Sequence, residues 1–100
     1  MVVARNFRTR TGSAEVDIVA QAGDAIVFVE VKSRQSDEFG SPDRAIDHEK
    51  ELRIMRAASE YLRRAGLHSD KARFDIVNVI LGGKPSIEHI EDAFYFPRTV

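Results

Sequence analysis

The sequence has no cysteine, which excludes disulfides, thiolate zinc sites and cysteine nucleophiles together and fits a reducing compartment. It has no apolar run near the roughly 20 residues that a membrane-spanning helix requires. Its opening, MVVARNFRTR, places arginines inside the apolar stretch, unlike a secretory signal. A cytoplasmic location is therefore expected. Glycine and proline are scarce, at six and three, while apolar residues make up 43% and charged residues 31%. That balance describes a chain able to bury a core, and 100 residues fit one domain spanning 1–100.

Excess charge of one sign is also missing, since the formal net charge is −1. Its distribution is uneven. The first fourteen residues carry three arginines and no acid, residues 15–49 carry nine acids against three bases, and residues 50–73 carry seven bases against three acids. An acidic centre between basic flanks suits a cation-assisted phosphodiester site, where acids hold metal and bases meet phosphate; the same runs also suit solvated faces.

Val2 to Arg10 alternates as a strand with Val3 and Phe7 inward and Arg8 and Arg10 outward. Glu15 to Ala20 and Ala25 to Arg34 are rich in Val, Ile and Phe, and Ala22-Gly23-Asp24 between them supplies turn chemistry, so the two form a hairpin. A polar stretch from Gln35 to Ser41 is a loop. Ser41-Pro42 opens a short helical turn through Ala45 and Ile46, and Asp47 caps a longer helix. In that helix Leu52, Met55, Ala58, Leu62 and Ala65 form the apolar stripe, with Ile54 and Tyr61 widening it, and Gly66 stops it. Arg73 to Leu81 and Ile87 to Ile90 read as strands around a Gly82-Gly83-Lys84-Pro85 turn. The Phe94-Tyr95-Phe96 tail is expected to cover the core. The fold class is thus α/β (α+β), in the order βββαββ: a mixed sheet, with the strand after the helix parallel to the third strand and the helix packed on one face.

Glu30 and Lys32 end the most apolar strand and share a face with Ile26 and Phe28. With a two-residue turn at Ala22-Gly23, Asp17 faces Phe28 and Glu15 faces Glu30, and three carboxylates converge. Like charges across a sheet repel unless a cation neutralises them, and Mg²⁺, with Mn²⁺ as its substitute, prefers such oxygen ligands. Asp17, Glu30 and Glu15 are the candidate metal ligands. Asp17, Glu30 and Lys32 are the candidate catalytic set, with Lys32 orienting a metal-activated water or offsetting charge. Arg8, Arg10, Arg34, Lys50 and Arg53 are the candidate phosphate contacts. Cross-strand ion pairing of Glu30, Lys32 and Arg34 is the simpler alternative from spacing alone. His48, His68 and His89 lack ligand spacing and suit surface or capping roles; Asp75 would approach the carboxylates if the fourth strand neighbours the third, and on the simpler reading stands at a solvent-facing strand end.

The segments EVDIVAQAGDAIVFVEVKSR, FGSP and RFDIV, followed by IEHIEDAF, resemble the YraN-like family of small bacterial proteins. That family is similar to archaeal Holliday-junction resolvases within the PD-(D/E)XK nuclease superfamily. The resemblance covers nearly the whole chain. It implies a restriction-endonuclease-like fold, Mg²⁺ dependence and a DNA ligand, branched DNA included, and it carries the superfamily's acid and E-x-K over to Asp17, Glu30 and Lys32. The family's acid two places before the aspartate falls on Glu15. The family pattern puts a glycine where this sequence has Ala14, and a helix bearing a glutamate ahead of the segment matching VVARNFR, which starts here at Met1. Without that helix, pairing of two copies through Val2, Val3 and Phe7, with weak activity, is expected. Three functions stay open: a metal-dependent nuclease, a nucleic-acid-binding module of the same fold without turnover, and a protein-interaction domain.

Overall fold

A computed structural model describes residues 1–35 and 48–96. Five strands, β1 (Val2–Arg8), β2 (Glu15–Ala22), β3 (Ala25–Arg34), β4 (Ala72–Ile80) and β5 (Ser86–Phe94), lie in one sheet in that spatial order, and the helix α1 (His48–Ala65) connects β3 to β4. Every neighbouring pair is antiparallel except β3–β4, which is parallel with Phe28 opposite Phe74 and Lys32 opposite Asn78. A parallel pair needs a crossover, and α1 supplies it. The expected βββαββ order and mixed sheet are what the structure has. The loop, the Ser41-Pro42 helical turn and the Asp47 cap fall outside the described residues.

The core forms where α1 lies on the sheet. Ile54, Ala57, Ala58 and Leu62 meet Val16, Val19, Phe28, Phe74 and Ile76. Rings run through this layer: Phe7 and Phe28 each meet Tyr61 edge-on, Phe28 stacks with Phe74 at 5.6 Å, and Phe74 touches both Phe94 and Phe96. Phe94 and Phe96 therefore cover the core as expected, while Tyr95 is exposed. Acids Glu49 and Glu51 in the first turn of α1 and Arg63 and Arg64 in the last complement the helix dipole. Gly66 at φ +71° then ends the helix in the left-handed conformation.

Three expectations need correction. The hairpin turn is Gly23-Asp24, flanked by Ala22 paired with Ala25, rather than Ala22-Gly23. Gly23 takes φ +60° at the first turn position, the place a type II′ turn gives to glycine. In β1, Val3 is exposed and Ala4 and Phe7 face the core, because the register shifts between Val2 and Ala4 and Asn6 adopts φ +51°. On α1, Leu52 and Ala65 are exposed and the buried stripe is rotated towards Ile54, Ala57 and Ala58.

Candidate functional site

The corrected hairpin register decides which acids meet. The β2–β3 ladder runs from Ala22 opposite Ala25 to Ile18 opposite Val29, and just past its end the Asp17 carboxylate lies against that of Glu30. Asp17, not Glu15, is thus the neighbour of Glu30. At that step a side chain takes over from the backbone: the Asp17 carboxylate accepts the Val31 N–H at 2.8 Å. Asp17 is held in place by the strand it faces.

Glu30 is the buried member of the pair, with its side chain 6% exposed. Burial pushes its carboxyl above the usual range and the Asp17 charge adds to this, while the Lys50 ammonium, reaching down from the first turn of α1 to Glu30 Oε1, pulls it back. Asp17, Glu30, Lys50 and Arg53 line one cavity of about 270 Å³, together with Gly12, Ser13 and Ala14 of the β1–β2 turn and Glu15 at the start of β2. That turn is fixed to the helix by the Arg10 N–H, which donates to Glu60 Oε2 at 2.9 Å, and is braced internally by the Ala14 N–H, which donates to Thr9 Oγ1 at 3.2 Å.

Glu15 lines the cavity but its carboxylate is gripped by Arg8 Nε at 2.7 Å. Among the described residues no three acidic or histidine side chains gather around one point as a metal cage would. Two carboxylates remain, and oxygen ligands in that number, completed by water and phosphate, match what Mg²⁺ takes. Lys32 follows Glu30 by two residues on the same face, beside Asn78. Of the five candidate phosphate contacts, Lys50 and Arg53 border the cavity and Arg8 reaches it through Glu15. Arg10 engages α1 through its backbone, and Arg34 stands at the far end of β3 with Nε and Nη2 buried and without a hydrogen-bond partner among the described residues. Arg53 also borders a larger hollow of about 600 Å³ along α1, with Leu52, Met55, Arg56 and Phe96.

Asp75 departs most from expectation. It is fully buried and projects from the sheet face opposite α1, since Val29 is its partner on β3. Its carboxylate accepts Arg73 Nε at 3.0 Å and Nη2 at 2.9 Å, lies 2.6 Å from His89 Nε2, and accepts the N–H of Asp92, a bulged residue of β5 at φ +51°. Burial alone would raise its pKa; the hydrogen bonds from Arg73, then His89 and Asp92, outweigh it and hold the carboxyl below its usual range. The Arg73-x-Asp75 spacing on one strand face was the available signal for this pair. Its place on the opposite face of the sheet from Glu30 keeps it out of the cavity. His68 caps the short turn before β4 by accepting from Asp70 N–H, the capping role expected of it.

Sheet and site together define a small α+β protein whose acidic pair, a buried Glu30 beside a partly exposed Asp17, opens into a cavity framed by helix-borne cations. Its sequence matches the model of Uncharacterised protein family UPF0102 over residues 1–79. It is 50% identical over 93 residues to a UPF0102 protein of Solibacter usitatus, covering 93% of this chain and 70% of that one. UPF0102 proteins of Rhodococcus jostii and Alkaliphilus metalliredigens are 46% and 42% identical, each over 93% of this chain and over 79% and 80% of theirs. The chain belongs to the UPF0102 family, in keeping with the YraN-like resemblance. No helix among the described residues is long and apolar enough to cross a membrane.

Proposed function

We propose that this protein is a Mg²⁺-dependent nuclease of the resolvase type that hydrolyses phosphodiester bonds in DNA, branched DNA being the substrate class to test first. The observation that carries this reading is the pairing of a buried Glu30 with Asp17 at the mouth of a cation-lined cavity. Two carboxylates held against each other, one of them buried, repel and lower stability unless positive charge stands between them; Lys50 supplies one charge to Glu30, and a divalent ion engaging both acids would supply more. Asp17 and Glu30 would hold the ion; what a bound Mg²⁺ supplies is polarisation of the phosphodiester and a water of lowered pKa. The Val31 N–H keeps the Asp17 carboxylate aimed, Lys32 offsets developing negative charge on the face it shares with Glu30, and Arg53 meets phosphate. Glu15, occupied by Arg8, enters as a ligand only if that ion pair opens.

A nucleic-acid-binding module without turnover is the second reading, and one observation favours it: Lys50 already neutralises Glu30. Pairing of two copies, if it occurs, draws on exposed Val2 and Val3 and not on Phe7, which packs against Tyr61. The deciding experiment incubates the protein with four-way-junction and linear DNA in Mg²⁺, Mn²⁺ or EDTA. Metal-dependent cleavage lost in Glu30→Gln supports the nuclease; salt-sensitive binding with no cleavage under any condition supports the module instead.

A further inference from the structure

We propose that the Lys50 ammonium is the resident counter-ion of the Asp17–Glu30 pair, that a divalent cation must displace it to bind, and that displaced Lys50 turns to substrate phosphate. The inference rests on reading the pair as a metal centre and adds the residue that gates it. Lys50 contacts Glu30 Oε1 and lines the same cavity as Asp17, so its charge stands where an ion shared by the two carboxylates would have to sit. The two partners are unequally buried. The Glu30 side chain is 6% exposed and cannot lose its partner without cost, whereas the Lys50 side chain is 42% exposed at the start of α1. A flexible four-carbon stem lets Lys50 swing to the cavity mouth and stay solvated, which a guanidinium fork locked to a carboxylate does less readily. A divalent ion carries twice the charge and engages both acids, so it can take over Glu30. Lys50 then joins Arg53 at the rim, where incoming phosphate is the nearest anion.

The test measures Mn²⁺ binding to the full chain by calorimetry for the unmodified protein, Lys50→Met and Lys50→Arg, with no DNA present. Lys50→Met, which keeps the stem and removes the charge, should bind Mn²⁺ about tenfold more tightly, the equivalent of one screened unit charge at contact distance. Lys50→Arg, which keeps the charge and grips Glu30 more firmly, should bind Mn²⁺ no more tightly than the unmodified protein. In EDTA the Met variant should melt below the unmodified protein, and saturating Mn²⁺ should remove the difference. Equal or weaker Mn²⁺ affinity in a folded Lys50→Met overturns the counter-ion role while leaving the metal centre standing. Absence of Mn²⁺ binding in all three proteins overturns the metal reading and this inference with it. Should the Met variant not fold, NMR of the lysine ε-methylene in the unmodified protein decides: the Lys50 signal must shift along the Mg²⁺ binding curve, and a signal that ignores Mg²⁺ rejects displacement.

Discussion

Two aspartates do the same structural work on opposite faces of the sheet. Asp17 accepts an N–H of β3 where the β2–β3 ladder stops, and Asp75 accepts the N–H of Asp92 where β5 bulges away from β4. Alternation in the sequence placed Asp17, Glu30 and Lys32 on one face; it could not reveal Lys50 at Glu30, because that contact depends on how α1 lands on the sheet. Nor could it show that Asp75 is buried, since a lone acid in a strand is ordinarily solvated. The two buried acids titrate in opposite senses. Glu30 has a raised pKa, so its neutral form favours the fold: that contribution is complete below about pH 4.5 and fades as pH climbs through the higher folded value. Metal-free Glu30→Gln should therefore melt higher than the unmodified protein at pH 7, and a lower melting temperature would contradict this. Asp75 has a lowered pKa, so its contribution is present above about pH 3.8 and disappears on acidification below that value. Removing it leaves Arg73 and the Asp92 N–H without their acceptor, and Asp75→Ala should cost about 3–5 kcal/mol in urea unfolding. His89→Ala, at a half-exposed partner, should cost no more than about 1 kcal/mol.

At the level of elements, composition and periodicity were enough to find the five strands and the long helix of the described residues, and the third strand from Ala25 to Arg34 has the expected ends. Phase was harder to read. Ala22-Gly23-Asp24 allows two neighbouring two-residue turns with the same side-chain faces, and only the backbone conformation of Gly23 chooses between them. The choice moves Asp17 from Phe28 to Glu30, so a one-residue ambiguity in a turn decides which acid completes the site. The phase of α1 was similarly open, because apolar residues occur around much of its circumference. Leu62→Ala, in the buried stripe, should destabilise by about 2–5 kcal/mol, and Leu52→Ala by under about 0.5 kcal/mol; equal costs in chemical unfolding would show that the helix packs in the phase its sequence first suggests. In β1 the left-handed Asn6 sets the phase that turns Phe7 inward. Asn6→Val should cost roughly 1–2 kcal/mol, because a β-branched side chain resists that conformation, and Asn6→Gly should be tolerated.

Over the whole molecule, three of the four neighbouring strand pairs among the described residues are local antiparallel links, and the one parallel pair, β3–β4, brings together residues separated by α1. Hairpin pairing closes short loops, and the β3–β4 ladder has to wait for the helix to be laid down. The net charge of −1 leaves no global attraction to DNA, so any binding must be local to the cavity rim and the α1 cations. On a plot of log affinity against log salt, Arg53→Ala should reduce the slope by about one while lowering affinity for all sequences alike; an unchanged slope would remove Arg53 from the interface. The way the β2–β3 ladder ends has a consequence for amide hydrogen exchange. Val29 sits inside the last backbone pair, but the Val31 proton is shielded from deuterium by the carboxylate of Asp17. Its exchange rate should track what becomes of that carboxylate and little else, rising in Asp17→Ala while Val27 and Val29 remain slow. One amide in the centre of the sheet then becomes a clock for the state of the site, readable without a substrate and without a catalytic turnover.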